Sequence, residues 1–185
     1  MAKARPVAGL HPHASLALNA GAIVAVRVAE MFDFAHAIGD PAQDKNLHNM
    51  RIAAKRLRYT LEMFRPALTD DGPPLIDVVK ELQERIGAIH DADVLDGIAR
   101  QRLAVAAQRH VTALAATAAA GGAEEERVSA VRARAVQTDD ATMGLAVLIA
   151  RTRAGRDRDF NELTVWWALH GGQPLRERLE ACVAS

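Results

Sequence analysis

The apolar residues of this chain recur every three or four positions in almost every segment, and no segment alternates convincingly with a period of two. That pattern permits helices packed through one face and argues against sheets. The stretch 47–64, LHNMRIAAKRLRYTLEMF, shows it most clearly. At 100° per residue Leu47, Met50, Ala53, Ala54, Leu57, Leu61 and Phe64 gather on one side, as a core-facing stripe should. The expected fold class is all-α, a helical bundle with short connections.

The breakers set the expected elements. A first helix should run from about Ser15 to Ala37. Asp40 then serves as N-cap, Pro41 lies in the first turn and Gln43 completes a capping box for a second helix that stops near Pro66. DDGPP at 70–74 is a turn into a third helix ended by Gly87. A fourth starts near Asp91, with Asp91 as its N-cap, and continues to Gly121 and Gly122. Further helices follow, interrupted around Thr138, Gly155 and GGQP at 171–174. No linker is long enough to mark a boundary, so residues 15–185 read as a single domain behind a flexible leader, 1–14. The single cysteine, Cys182, leaves no intramolecular disulfide and suits a reducing cytoplasm. No apolar run approaches the roughly 18 residues needed to span a bilayer, so no membrane partner is expected.

Charge is balanced overall, 23 basic against 23 acidic residues, yet it is not evenly spread. From Lys45 to Arg65 there are six basic residues and one acidic, a local balance of +5. On the helical wheel His48, Arg51, Lys55, Arg58, Tyr59 and Glu62 gather on the side opposite the apolar stripe, spaced so that successive side chains are neighbours. Two readings fit. The stripe could be a solvated face, or one neutralised by the acids of 66–96, where eight carboxylates face only Lys80 and Arg85. It could instead be a row of phosphate clamps, since charge-assisted hydrogen bonds are worth about 1.5–3 kcal/mol each and a polyanion repeats its charge along its length.

The run His48-x-x-Arg51-Ile52-x-x-Lys55-Arg56-Leu57-Arg58-Tyr59, followed by Leu61-Glu62-x-Phe64, resembles the signature helix of CHAD domains, the conserved-histidine α-helical domains. Leu82-Gln83-x-x-Ile86-Gly87-x-x-His90-Asp91-x-Asp93-Val94-Leu95 is similar to that family's second landmark. The resemblance implies a helical bundle that binds inorganic polyphosphate through basic side chains, with no catalysis and no cofactor. Carried over residue by residue, the contacts are His48, Arg51, Lys55, Arg56 and Arg58. Lys45 stands ahead of the motif, and Lys80 and Arg85 add charge from the second. Polyphosphate granules are a further implied partner. Members of the family are commonly longer and carry two basic motifs. Here RVSAVRAR at 127–134 faintly echoes RIAAKRLR at 51–58, which nominates Arg127 and Arg134. Without a true second motif the cavity is half-sized or is completed in a homodimer. Arginine is common before the aspartate of the second landmark, where this chain has His90.

Other readings compete. His48, His90 and Asp91, with Asp139 and Asp140 downstream, suit a helical metal-dependent phosphohydrolase, in which imidazole and carboxylate hold divalent metals. A dication is disfavoured beside the basic stripe, so no metal site is expected. Nucleic acid is another polyanion. The chain lacks a global basic excess and a platform of aromatics, so only weak, non-specific nucleic-acid binding is expected. Arg151, Arg153, Arg156 and Arg158, interleaved with Asp157 and Asp159, read as a salt-bridged helix junction. Trp166 and Trp167 read as core or subunit contact.

Overall fold

The computed structural model describes residues 3–136 and 140–183, with the side chain of Asp140 outside the description. The fold is all-α, as the periodicity requires. Helix α1 spans Leu16–Phe32, α2 Asp44–Met63, α3 Gly72–Ala119, α4 Glu124–Val136, α5 Asp140–His170 and α6 Gly172–Ala181. Short 3-10 turns, Ala35–Gly39 and Arg65–Ala67, flank α2. Among the described residues the extended pairing is one isolated bridge, Leu68 with Val183. No helix among them is long and apolar enough to cross a membrane.

Several boundaries differ from the sequence expectation. Ser15 does cap α1, its hydroxyl accepting from the Leu18 amide. That helix ends at Phe32, because the tighter turn that follows carries Ala37 and Ile38 into the core. Asp40 caps only a local turn, accepting from the Ala42 amide at 3.0 Å, and α2 begins four residues later. Gly87 does not end a helix and Asp91 is not an N-cap: α3 runs unbroken for 48 residues. A glycine inside a helix costs only about 1 kcal/mol. Leu82, Ile86 and Ile89, all fully buried around it, outweigh that penalty. Gly155 is likewise interior to α5. The breaks at Gly121-Gly122 and at 171–174 stand where expected; the one around Thr138 lies outside the described residues.

The chain divides into two compact units, residues 1–90 with 157–185, and residues 91–156. The first holds the hydrophobic core. Val24, Val28 and Met31 of α1 meet Met50, Leu57 and Leu61 of α2, Leu75, Leu82 and Ile86 of α3, Leu163 and Trp166 of α5, and Leu175 and Leu179 of α6. Trp166 is a core residue and Trp167 packs partly buried against that core. The second unit has a different economy. Ala99 is its buried apolar side chain among the described residues, and α4 buries none. Ion pairs join α3 to α5 there, Arg156 with Asp93 at 2.9 Å and Arg153 with Asp96 at 3.3 Å. The helix junction expected at Arg151–Asp159 is absent, since α5 runs unbroken through it, and Arg153 and Arg156 instead pair with Asp96 and Asp93 of α3.

A charged cluster sits at the edge of the first core. Glu30 on α1 is only 4% exposed and accepts from Arg27 at 2.6 Å, from Arg56 at 2.7 Å and from the Arg5 amide. The side chain of Arg5 pairs with Asp33, which ties residue 5 to α1. Burial alone would raise the Glu30 pKa, but these donors overcome it and hold the carboxyl below its ordinary value. Glu30→Gln should lower unfolding stability by about 3 kcal/mol in urea titration, because it leaves two arginines short of their counter-charge. Wild-type stability should be present above the ordinary carboxylate range and lost as pH falls toward the depressed native value. That acid sensitivity should be reduced in the variant.

Candidate functional site

Helix α2 carries its apolar stripe into the core, and this fixes where its other faces point. Leu47, Met50, Ala53, Ala54, Leu57 and Leu61 are all buried. His48, Arg51 and Arg58 stand at the border of that stripe and are half-buried, whereas Lys55 is exposed. Two contacts show what this border faces. The His48 ring lies 4.2 Å from the His90 ring of α3, centroid to centroid, tilted by 36°. The Arg51 guanidinium lies against Gly87, where an added Cβ would sit 3.3 Å from Nε. Moving three residues along α2 thus moves three residues back along α3. The helices are antiparallel and share a 3-4 spacing. Extended along both helices, the same register would bring Lys55 opposite Gln83 and Arg58 opposite Lys80. From the histidine pair to Arg58 this groove is about 15 Å long.

The groove is rich in unmet hydrogen-bonding capacity. Arg51 Nε, Arg58 Nε, His48 Nδ1 and Gln83 Oε1 are buried atoms with no partner in the protein. A buried polar group left unpaired costs about 1–3 kcal/mol, so a clustered set is a costly arrangement. Counter-charge is scarce too. Among the described residues no carboxylate lies within ion-pair distance of Arg51 or Lys55, and Arg58 has only Glu62, one turn on, at 3.6 Å. The acids of 66–96 are occupied elsewhere or stand apart. Glu81 pairs with Arg85, Glu84 with Lys80 at 4.0 Å, and Asp93 and Asp96 with arginines of α5 and α3. Tyr59 supports two of the cations, its ring 4.7 Å from the Arg58 guanidinium carbon and 5.7 Å from Lys55 Nζ.

The remaining candidates fall in other places. Arg56 is turned to Glu30, away from the groove. Lys45 is exposed in the first turn of α2. Arg85 bonds Glu81 and lies 5.5 Å from the Trp166 ring, on another side of α3. Arg127 and Arg134 belong to α4, in the second unit. Of the metal-ligand set, His48 and His90 do come together, but Asp91 is exposed. Asp139 and the side chain of Asp140 lie outside the described residues. Among the described residues no three of His, Cys, Asp or Glu gather where a metal ion could be held. Gln83 and Gly87 were legible only as letters of a landmark. Their role depends on the unbroken α3, whose 80-83-87-90 spacing mirrors 48-51-55-58 of α2.

His48 titrates below its ordinary value. Burial is the main cause, followed by the adjoining His90 ring and the Arg51 charge. It is therefore neutral at pH 7, able to donate one hydrogen bond and accept another. NMR titration should place His48 below the reference value of 6.5, and Arg51→Gln should move it upward. Unfolding frees the ring to protonate at its ordinary value. Native stability from this group is thus present above pH 6.5 and lost as pH falls through the lower native value.

With the geometry in place, comparison with known proteins gives one match. The sequence model of the CHAD domain matches residues 4–100, which takes in both landmarks and both walls of the groove. No curated protein and no solved structure matches the chain.

Proposed function

The chain belongs to the CHAD domain family, and on that premise we propose that it binds inorganic polyphosphate, without chemical turnover, in the groove between α2 and α3. The family is associated with polyphosphate binding. The observation that carries the reading here is the row of Arg51, Lys55 and Arg58, with two buried guanidinium nitrogens unpartnered and almost no opposing carboxylate. Phosphoryl oxygens are pure acceptors at regular intervals, so a polyphosphate supplies what each donor lacks. Guanidinium groups grip such oxygens in pairs, while the ammonium of Lys55, and that of Lys80 across the groove, act as point charges. Arg56 stays outside this set because Glu30 holds it.

Binding of long-chain polyphosphate, followed by calorimetry at physiological salt, tests the reading. Arg51→Ala and Arg58→Ala should each weaken affinity by about tenfold or more, consistent with a charge-assisted bond of about 1.5–3 kcal/mol. Each should flatten the dependence of log K on log salt by about one. Arg56→Ala should lower stability and leave affinity nearly unchanged. Single-stranded RNA should compete poorly, and equal competition would make this a generic polyanion site. Retained affinity in a folded Arg51→Ala/Lys55→Ala/Arg58→Ala variant removes the groove from the binding function altogether.

Proton linkage gives a second, independent readout. A bound polyanion favours the charged imidazole and raises the His48 pKa from its depressed starting value. Affinity should therefore rise as pH falls through the bound-state pKa towards the lower free-state one, with proton uptake visible as a buffer-dependent binding enthalpy. His48→Ala should abolish the part of that linkage due to this ring. An unchanged pH profile in the variant takes His48 out of the site.

A further inference from the structure

Polyphosphate binding leaves one surface of the first unit unused, an open groove of about 460 Å³ where α5 lies beside Arg85 of α3. Trp166 lines it as a nearly buried ring, and the Arg85 guanidinium carbon is 5.5 Å from that ring. Val165 and Leu169 stand beside it one turn apart on α5, 62% and 74% exposed. Single exposed aliphatic residues are ordinary on a protein surface. Two of them flanking a groove built from tryptophan and arginine are not, because those two residue types carry much of the energy of protein interfaces.

The shape and charge of this surface say what covers it. Val165 and Leu169, four residues apart, form a ridge, and the groove runs next to that ridge. A ridge and a groove side by side are self-complementary under a two-fold axis, each ridge entering the groove of the other copy. The charges match in the same way. Glu162, one turn before Val165, lines the groove and its carboxylate makes no ion pair among the described residues. Arg85 is held only by Glu81 of its own helix, at 2.8 Å, and such solvent-exposed pairs are worth about 0–1 kcal/mol and exchange readily. One cation and one anion offer little to a polyanion or to a strongly basic partner. A second copy brings the opposite charge to each of them.

We propose that this face of α5 is a homodimer interface, with the Val165–Leu169 ridge of each copy seated in the groove of the other and Glu162 of each paired with Arg85 of the other. None of Arg51, Lys55 and Arg58 takes part, so dimerisation and polyphosphate binding are separable. The six residues that line the groove are fewer than the roughly 20–30 a side of a standard interface. The contact is accordingly weak, dissociating across the micromolar range.

Sedimentation velocity of the wild type, without polyphosphate, should show a concentration-dependent shift from monomer to dimer over that range. Leu169→Lys places a cation where the last turn of a helix tolerates it. Native helicity by circular dichroism should therefore persist while the dimer is lost. Glu162→Arg and Arg85→Glu should each weaken association by about tenfold or more, because like charges then meet across the axis. An equimolar mixture of these two variants should dimerise again, since every arginine then meets a glutamate. Loss through general destabilisation would not recover on mixing. A wild type that stays monomeric throughout overturns the proposal and leaves the groove to a partner of another kind. A dimer undiminished by Leu169→Lys puts the interface elsewhere, and one not recovered on mixing overturns the pairing of Glu162 with Arg85. Should Leu169→Lys fail to fold, the mixing experiment still decides.

Discussion

Everything in the first unit depends on the apolar seam between α2 and α3. Leu57 and Leu61 on one side, and Leu82, Ile86 and Ile89 on the other, are fully withdrawn from water. Each contributes on the order of 1.5–3 kcal/mol by burial. Because the helices run antiparallel with a shared spacing, closing this seam leaves no choice about what borders it. The next position round each helix faces the other helix, as the contacts of His48 with His90 and of Arg51 with Gly87 show. Hydrophobic burial thus holds like charges together that would otherwise separate. The repulsion of neighbouring cations on one helix amounts to a few tenths of a kcal/mol per pair. That is small beside the seam.

The same helix shows what an arginine does when it is structural. Arg51 and Arg56 are five residues apart, so their side chains leave α2 about 140° apart. One reaches Glu30, itself clamped by Arg27 and the Arg5 amide, and completes a buried cluster with every partner named. The other lies on Gly87 with a buried nitrogen unpaired. Sequence position assigns both to one basic motif. Only their surroundings separate an arginine that fastens α1 to α2 from one whose buried nitrogen has no partner.

Much of the fold was legible because helical periodicity is a local signal. The α2 core face, the start of α1 near Ser15 and the breaks at Gly121-Gly122 and 171–174 all follow from spacing and backbone preference. The failures share a cause. Gly87, Asp91 and Gly155 carry local signals for a break, yet the packing of their neighbours overrides a penalty of about 1 kcal/mol. That error had a consequence for the site. With α3 ended at Gly87, His90 and Gln83 would fall on different helices, and the matched spacing of the two walls disappears. The basic wall on α2 could be read from the chain alone. The facing wall required knowing that α3 continues.

The lowered pKa of His48 resolves a tension in this arrangement. Arg51, Lys55 and Arg58 lie along α2 beside an apolar seam, where a further positive charge is hardest to accommodate. Burial, His90 and Arg51 all push His48 toward its neutral form. The neutral ring therefore adds hydrogen-bonding capacity without adding repulsion. A polyanion bound as proposed would oppose the charge terms with a field of the opposite sign. Histidine can follow that reversal by taking a proton, which neither an arginine nor an amide can do at that position. An arginine at position 90, as is common in the family, would keep its charge in the free state and lose the ring that stacks on His48. With His90 in that place the position carries no fixed charge, and its ring packs at 4.2 Å against that of His48.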